Sequence, residues 1–243
     1  MTLKKTWLIT GGSRGIGLAV AQRAIDAGDR VAIMARGESV VEAAAALGDN
    51  CMAVRCDVAD RASVVSAVDT VVEQWGAISC VVNNAGIHRG GKIGRLKLDD
   101  WETVLGANLT GAMNVIAVAS EHMGEGGSIV NTGAVVGFRG FPGDSAYASS
   151  KAGIAGLTRA LAIELAPKAI TVNLVIPGLV LTEMTSGLSE KALEAMCKTI
   201  PLGRYGESEE IAEVIEWVAR SRYMTGAFVP VDGGLMSSFG IAG

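Results

Sequence analysis

The sequence predicts an α/β fold. Residues 1–243 read as one domain, a doubly wound parallel sheet of about seven strands flanked by helices. Three observations predict it. Apolar runs too short for helices alternate with runs of helical periodicity, four times before Gly86. Such alternation argues parallel strands joined by right-handed helical crossovers. A glycine-rich turn directly follows the first apolar run, where a sheet of this kind presents its ligand site. Hydrophobic residues make up 49% of the chain and charged residues 19%, with 32 glycines. That composition suits a compact, glycine-punctuated core and not a disordered chain.

Trp7-Leu-Ile-Thr10 is the first buried strand. Gly11-Gly-Ser-Arg-Gly15-Ile-Gly17 follows, with a helix predicted over 18–27. Strand, glycine turn and helix together form a phosphate site. Glycines admit the backbone to a pyrophosphate, and the helix N-terminus offers free N–H groups and a positive dipole end. The second strand is Arg30-Val-Ala-Ile-Met-Ala35. In dinucleotide folds an acid ending this strand holds the ribose 2′-hydroxyl of NAD. Here Ala35 and Arg36 stand there instead, and Arg14 lies in the glycine turn. An arginine can fork onto a 2′-phosphate that an acid would repel. The two basics and the missing acid point to NADP(H).

Residues 51–56 form a third strand, closed by Asp57 and Val58. Asp57 is placed either to accept from an adenine amino group or to cap the helix starting near Arg61. The fourth strand, 78–82, ends in Asn83-Asn-Ala-Gly86. A fifth is read over Ser128-Ile-Val-Asn131, continuing through Thr132 to Val136, and a last short one over Phe228-Val-Pro-Val231. Six strands are therefore placed, and the seventh is counted without a position. No repeat, linker or low-complexity tract divides the chain.

A net charge of -4 gives no attraction to nucleic acid or an anionic membrane. The longest apolar runs fall short of a membrane span. The N-terminus runs straight into a strand, leaving no room for a signal peptide. Four cysteines without a C-x-x-C pair, and two histidines, make a zinc site an unfavoured reading. Reduced thiols in a cytoplasmic protein are expected.

Tyr147-Ala-Ser-Ser-Lys151 opens a long apolar-periodic run, predicting a helix over 145–166. Residues four apart share a helix face, so Tyr147 and Lys151 point into one space. A lysine ammonium beside a phenol favours the phenolate, and the Tyr147 pKa is expected to fall. Such a group trades protons near neutral pH.

Taken in order, these motifs resemble the short-chain dehydrogenase/reductase family over essentially the whole chain. Thr10-Gly-Gly-Ser-Arg-Gly-Ile-Gly17 matches its cofactor turn, Asp57 with Val58 its adenine contact, and Asn83-Asn84-Ala85-Gly86 the motif ending the fourth strand. Asn108 matches the asparagine of its catalytic tetrad, Tyr147 and Lys151 its catalytic pair. Pro177 and Gly178, with Val180 and Thr182 beyond, match the turn beside the nicotinamide. The resemblance thus implies a Rossmann-type fold. It implies cofactor contacts from Thr10, Gly11, Ser13, Arg14, Gly15, Ile16, Gly17, Arg36, Asp57, Val58, Asn84, Ala85, Gly86, Tyr147, Lys151, Pro177, Gly178, Val180 and Thr182. Residues 182–199 would form a lid, and the glycine-rich tail would pack across the subunits of a homotetramer or homodimer.

Within the family, Ile200-Pro-Leu-Gly-Arg-Tyr-Gly206 looks most like 3-oxoacyl-acyl-carrier-protein reductases. Carrier proteins are acidic and need basic docking residues. Glu121-His-Met-Gly-Glu-Gly-Gly127 is acidic where those enzymes are basic, leaving Lys168 near the second docking position. The active site departs from the pattern too. The catalytic serine is expected thirteen residues before Tyr147, and Ala134 is there. Thr132 and Ser145 are the nearby hydroxyls; Thr132 is expected on the same strand face as Ala134. The resemblance implies NADPH-dependent reduction of a ketone, reversible as alcohol oxidation, weakened by an engineered or natural serine loss. The alternative is a silent NADP-binding scaffold. His88 falls where the family's substrate pocket opens, though a loop histidine is more often only solvated.

Overall fold

The computed structural model describes residues 4–181 and 190–238. Seven parallel strands form one sheet in the order β3-β2-β1-β4-β5-β6-β7. They are β1 (Thr6–Thr10), β2 (Arg30–Ala35), β3 (Cys51–Arg55), β4 (Ile78–Asn83), β5 (Met123–Thr132), β6 (Thr171–Pro177) and β7 (Phe228–Val231). The helices are α1 (Gly15–Asp26), α2 (Ser39–Leu47), α3 (Arg61–Trp75), α4 (Leu98–Leu105), α5 (Gly111–Ala119), α6 (Val136–Arg139), α7 (Ser145–Glu164), α8 (Glu190–Cys197) and α9 (Ser208–Arg220). The strand order reverses between β1 and β4. Open α/β sheets bind ligands in the crevice at the strand C-termini there.

The apolar runs of the strands follow from burial on both faces. Along β1, Trp7 and Ile9 pack with Val20 of α1 and Ile211 and Ile215 of α9. Leu8, pointing the other way, packs with Val64 and Val68 of α3 and Val115 of α5. Each such side chain, fully withdrawn from water, stabilises the fold by roughly 1.5–3 kcal/mol.

Several expectations need correction. The unplaced seventh strand is β6. Its apolar run is interrupted by Asn173, which is fully buried because it donates to the Met224 carbonyl at 2.7 Å and accepts from Ala227 N–H at 3.0 Å. β5 starts earlier than expected, at Met123, with a register shift opposite 78–80 and Gly126 at φ +78°. It also stops at Thr132. Gly133 N–H still bonds Val175 O at 2.8 Å, but Gly137 N–H turns back onto Ala134 O at 3.1 Å, and α6 begins at Val136. The β-branched Val135-Val136 pair suggests strand, and tertiary context overrides it. Ala134 therefore lies beyond the strand and does not share a strand face with Thr132. α1 begins at Gly15, inside the glycine turn.

The expectation on membrane length also changes. Residues Leu98–His122 form a continuous 25-residue helical run, long and apolar enough to cross a membrane by length and composition alone. Half of the apolar 18-residue window within it is buried inside the molecule, where it packs on α3 and α7. It carries two buried asparagines, Asn108 and Asn114, which is the pattern of a core helix.

Of the expected lid, 182–189 lie outside the described residues, Thr182 among them, and 190–197 form α8. The tail beyond Ser238 lies outside them as well.

Candidate active site

At the switch point, the ends of β1 and β4 are stitched together by the residues expected at a cofactor. The Thr10 hydroxyl oxygen accepts from the backbone N–H of Asn84 at 3.0 Å and of Ala85 at 2.9 Å. The Asn84 amide donates to the carbonyls of Thr10 and Gly11 at 3.3 and 3.2 Å. Gly17 must be glycine, since a Cβ there would lie 2.3 Å from the Gly11 carbonyl oxygen. Gly11 and Gly15 take φ of +64° and +52°, which other residues adopt at a cost. Ser13 and Ile16 complete the turn into α1, whose first turn holds no acid and whose N-cap, Arg14, makes no side-chain cap. Arg14 and Arg36 are both exposed beyond β1 and β2. Arg36 makes no ion pair among the described residues, while the neighbouring Glu38 pairs with Arg55.

Asp57 does not cap α3. Asp60 does, accepting from Ala62 N–H at 2.9 Å, while one Asp57 oxygen accepts from Ala59 N–H at 3.0 Å. The Val58 carbonyl accepts from Asn114 at 3.0 Å. On the far side, Pro177 ends β6 and Gly178 N–H bonds Val231 O at 2.9 Å. A Cβ at Gly178 would meet Asp232 Cα at 2.6 Å. Val180 bridges to Gly206.

The second half of the crevice is built by β5, α6 and α7. Lys151 is buried, and its Nζ donates to the Thr132 carbonyl at 2.8 Å, 5.6 Å from the Tyr147 ring centre. Gly137 of α6 packs against Lys151 and Ala152, bringing the segment after Ala134 onto the Tyr147–Lys151 helix. Asn108 sits in a π-helical turn, Gly106–Thr110, between α4 and α5; such turns recur at functional sites. Its amide nitrogen donates to Ile87 O and Ser150 Oγ, both at 3.0 Å, and its Oδ1 accepts from Ile87 N–H at 2.8 Å. The Ser150 hydroxyl in turn donates to the Tyr147 carbonyl at 2.7 Å. This chain ties the loop after β4 to the first turns of α7. Most of the Asn108 hydrogen-bonding capacity is thereby committed.

The electrostatics correct one expectation. Burial lowers the Lys151 pKa to about 8 and, with a smaller push from Asp144, raises Tyr147 to about 12. The lysine ammonium, turned to Thr132, does not bring the phenol down. Desolvation wins because both groups share one enclosed space. Two hydroxyls there, Thr132 Oγ1 and Ser145 Oγ, are buried without a hydrogen-bond partner among the described residues.

Sequence reasoning missed three contributors. Ser150 and the Thr132 carbonyl carry no motif of their own, although Ser150 lies within the quoted Tyr-x-x-x-Lys stretch. His88 is the third: the sequence places it at the mouth of a substrate pocket or in solvent, and not beside Asp144. Its Nε2 lies 2.9 Å from Asp144 Oδ1, and its ring stands edge-on to Tyr147 with centres 5.2 Å apart.

Comparison with known proteins agrees with this layout. The family model described as Enoyl-(Acyl carrier protein) reductase matches residues 11–236. A 3-oxoacyl-[acyl-carrier-protein] reductase of Staphylococcus aureus is 39% identical, covering 97% of this chain and 99% of the relative. A human 3-oxoacyl-[acyl-carrier-protein] reductase is 43% identical, covering 96% and 98%. Among solved structures, a blue fluorescent protein from a metagenomic library in complex with NADPH superposes with a TM-score of 0.91 at 35% identity, covering 97% and 99%. A dehydrogenase/reductase from Sinorhizobium meliloti gives a TM-score of 0.91 at 36% identity, covering 96% of each chain. With a whole-chain match of this kind around a Tyr-x-x-x-Lys helix and a glycine turn at the switch point, the chain belongs to the short-chain dehydrogenase/reductase family, among oxidoreductases acting on carbonyl and alcohol groups.

Proposed function

We propose that this chain is an NADPH-dependent carbonyl reductase, reversible as an alcohol dehydrogenase, whose rate is limited by Ala134. The observation that carries the reading is Tyr147 and Lys151 on one face of α7, beside a crevice opened by the glycine turn. The residues present fit a nicotinamide dinucleotide. Uncapped N–H groups of an acid-free helix start suit a pyrophosphate. Arg14 and Arg36 are exposed where a 2′-phosphate would reach, Asp57 keeps a carboxylate oxygen for an adenine amino group, and one close structural neighbour was crystallised with NADPH.

The cofactor supplies the hydride; the protein supplies position and field. Tyr147 carries the proton destined for the carbonyl oxygen. Its raised pKa keeps it protonated, which suits reduction. Lys151 holds the cofactor ribose, its Nζ kept in place by the Thr132 carbonyl. Asn108 keeps the loop after β4 in place and has one Oδ1 lone pair left for a water in the proton path. Ala134 offers a methyl group at the substrate oxygen, where a hydroxyl donor is worth ~10²–10³ in rate.

The substrate is a ketone, a 3-oxoacyl or other keto compound, taken as a small molecule. Lys168, the remaining basic group for an acidic carrier protein, is already paired with Glu121 at 3.7 Å. A cytoplasmic homotetramer or homodimer completes the reading. Because Ala134 also favours a silent scaffold, the deciding experiment is NADPH oxidation at high enzyme concentration with β-keto esters and cyclic ketones. Oxidation with any of them supports the reductase. Tight NADPH binding with no oxidation across the panel favours the scaffold.

A further inference from the structure

The pair His88–Asp144 is not used by the mechanism above, yet it touches the central residue. Asp144 occupies the N-cap position of α7 but makes no side-chain cap. Carboxylates at that position normally accept from the first turn of their helix. This one turns away, is 17% exposed, and bonds His88 Nε2 at 2.9 Å. Gly90 leaves the space they occupy, since a Cβ there would lie 3.3 Å from His88 Cε1 and 3.4 Å from Asp144 Oδ1. The two loops are already joined by a backbone bond, Gly91 N–H to Gly143 O at 2.7 Å. The side-chain pair is therefore not needed to hold them together. What it adds is a carboxylate at the N-cap of the helix that carries Tyr147 and an aromatic edge against the phenol, the His88 ring standing at 80° to the phenol ring.

We propose that Asp144 and His88 form a positioning pair for Tyr147: the carboxylate holds the proton on the phenol, and the imidazole fixes where that carboxylate lies. This rests on the reading of Tyr147 as the proton donor, and it gives the site a direction. A negative charge close to a phenol penalises the phenolate, so the tyrosine is kept in the form that serves reduction and withheld from the form that serves alcohol oxidation. Other charges nearby are engaged elsewhere. Lys151 on α7 donates to Thr132 O, and Arg89, beside His88, pairs with Asp100 on α4 at 2.9 Å. After burial itself, Asp144 raises the Tyr147 pKa, while the Lys151 ammonium stands 5.6 Å from the ring centre, and the bond to Asp144 is what raises the His88 pKa.

The test is a spectrophotometric titration of tyrosinate in the nucleotide-free protein, each variant subtracted from its own Tyr147→Phe background so that Tyr205 and Tyr223 cancel. Asp144→Asn should bring ionisation of Tyr147 about one pH unit lower. Asp144→Ser, a neutral residue suited to a helix cap, should do the same and guards against a folding artefact. His88→Phe keeps the ring edge but not the bond, so the carboxylate is no longer held in place and the ionisation should fall toward that of the Asp144 variants. The pH profile of alcohol oxidation should move in step, its rise starting lower in all three variants and least in His88→Phe. A purely structural pair would lower rates in all three variants without moving either profile. Coincident titrations of parent, Asp144→Asn and Asp144→Ser would overturn the proposal while leaving Tyr147 as proton donor. Full turnover by Tyr147→Phe would overturn both.

Discussion

Along the C-terminal edge of the sheet, the β1–β4 side and the β5–α7 side of the crevice are built in different ways. On the first, Asn84 donates three hydrogen bonds to Thr10 and Gly11, Asn83 Oδ1 stays buried without a partner among the described residues, and Gly17 packs against Gly11 with no room for a methyl group. That side is a rigid backbone cradle with its charges, Arg14 and Arg36, outside in solvent. On the second, Thr132 and Ser145 keep buried hydroxyls without partners, and Tyr147 and Lys151 are both driven away from their charged forms by burial. Binding needs shape that is settled beforehand. Chemistry needs groups whose proton affinity a ligand can still change.

The contrast can be broken most severely at Tyr147. Tyr147→Phe should cut turnover by ~10²–10⁴, the range of a positioned acid, with NADPH affinity unchanged in a fluorescence titration. Equal turnover would remove the catalytic half of the account. Next, Arg36→Asp with Arg14→Ser should weaken NADPH binding by about tenfold to a hundredfold, since charge-assisted bonds to a 2′-phosphate are lost. NADH binding should barely move, and parent protein binding NADH as tightly as NADPH would contradict the assignment.

Gly17→Ala probes the rigid side. Its new carbon meets the Gly11 carbonyl at 2.3 Å, so thermal unfolding should show a destabilisation of roughly 1–3 kcal/mol. An unchanged midpoint would mean that the turn yields.

The effect confined to one pH window concerns Lys151. Its folded pKa of about 8 lies below the ordinary 10.5, so between these values the unfolded chain binds more protons than the folded one. Stability from this group therefore rises with pH across that window, by at most about 1.4 kcal/mol per pH unit. Lys151→Met should remove that part of the slope in denaturant titrations from pH 8 to 10.5. A slope unchanged by the substitution would place the lysine charge in water.

How much of this was legible in the sequence follows the same division. The strand–glycine–helix unit was readable because backbone demands leave glycines and apolar runs behind. The same is true of the pairing of Tyr147 with Lys151, a consequence of helical period. β6 escaped placement because Asn173 breaks its apolar run, and only the loop that satisfies its amide explains why it is buried. The end of β5 was misplaced because Val135-Val136 looks like strand until the turn at Ala134 is seen. The Tyr147 pKa was misjudged in direction. Spacing shows that a lysine is near, but not that burial outweighs it or that Asp144 adds to the rise. His88 could not be joined to Asp144 from sequence, since 56 residues separate them.

The central claim is that the open side of the crevice lacks one donor at residue 134, and Ala134→Ser tests it most directly. The substitution adds a single oxygen just beyond β5, next to a segment packed on the Tyr147–Lys151 helix. Steady-state reduction of whichever ketone the parent accepts should rise by ~10²–10³, mostly in kcat, because the hydroxyl bonds the developing alkoxide more strongly than the ketone. NADPH affinity should stay as it was. Turnover no faster than the parent on every accepted ketone would contradict the claim.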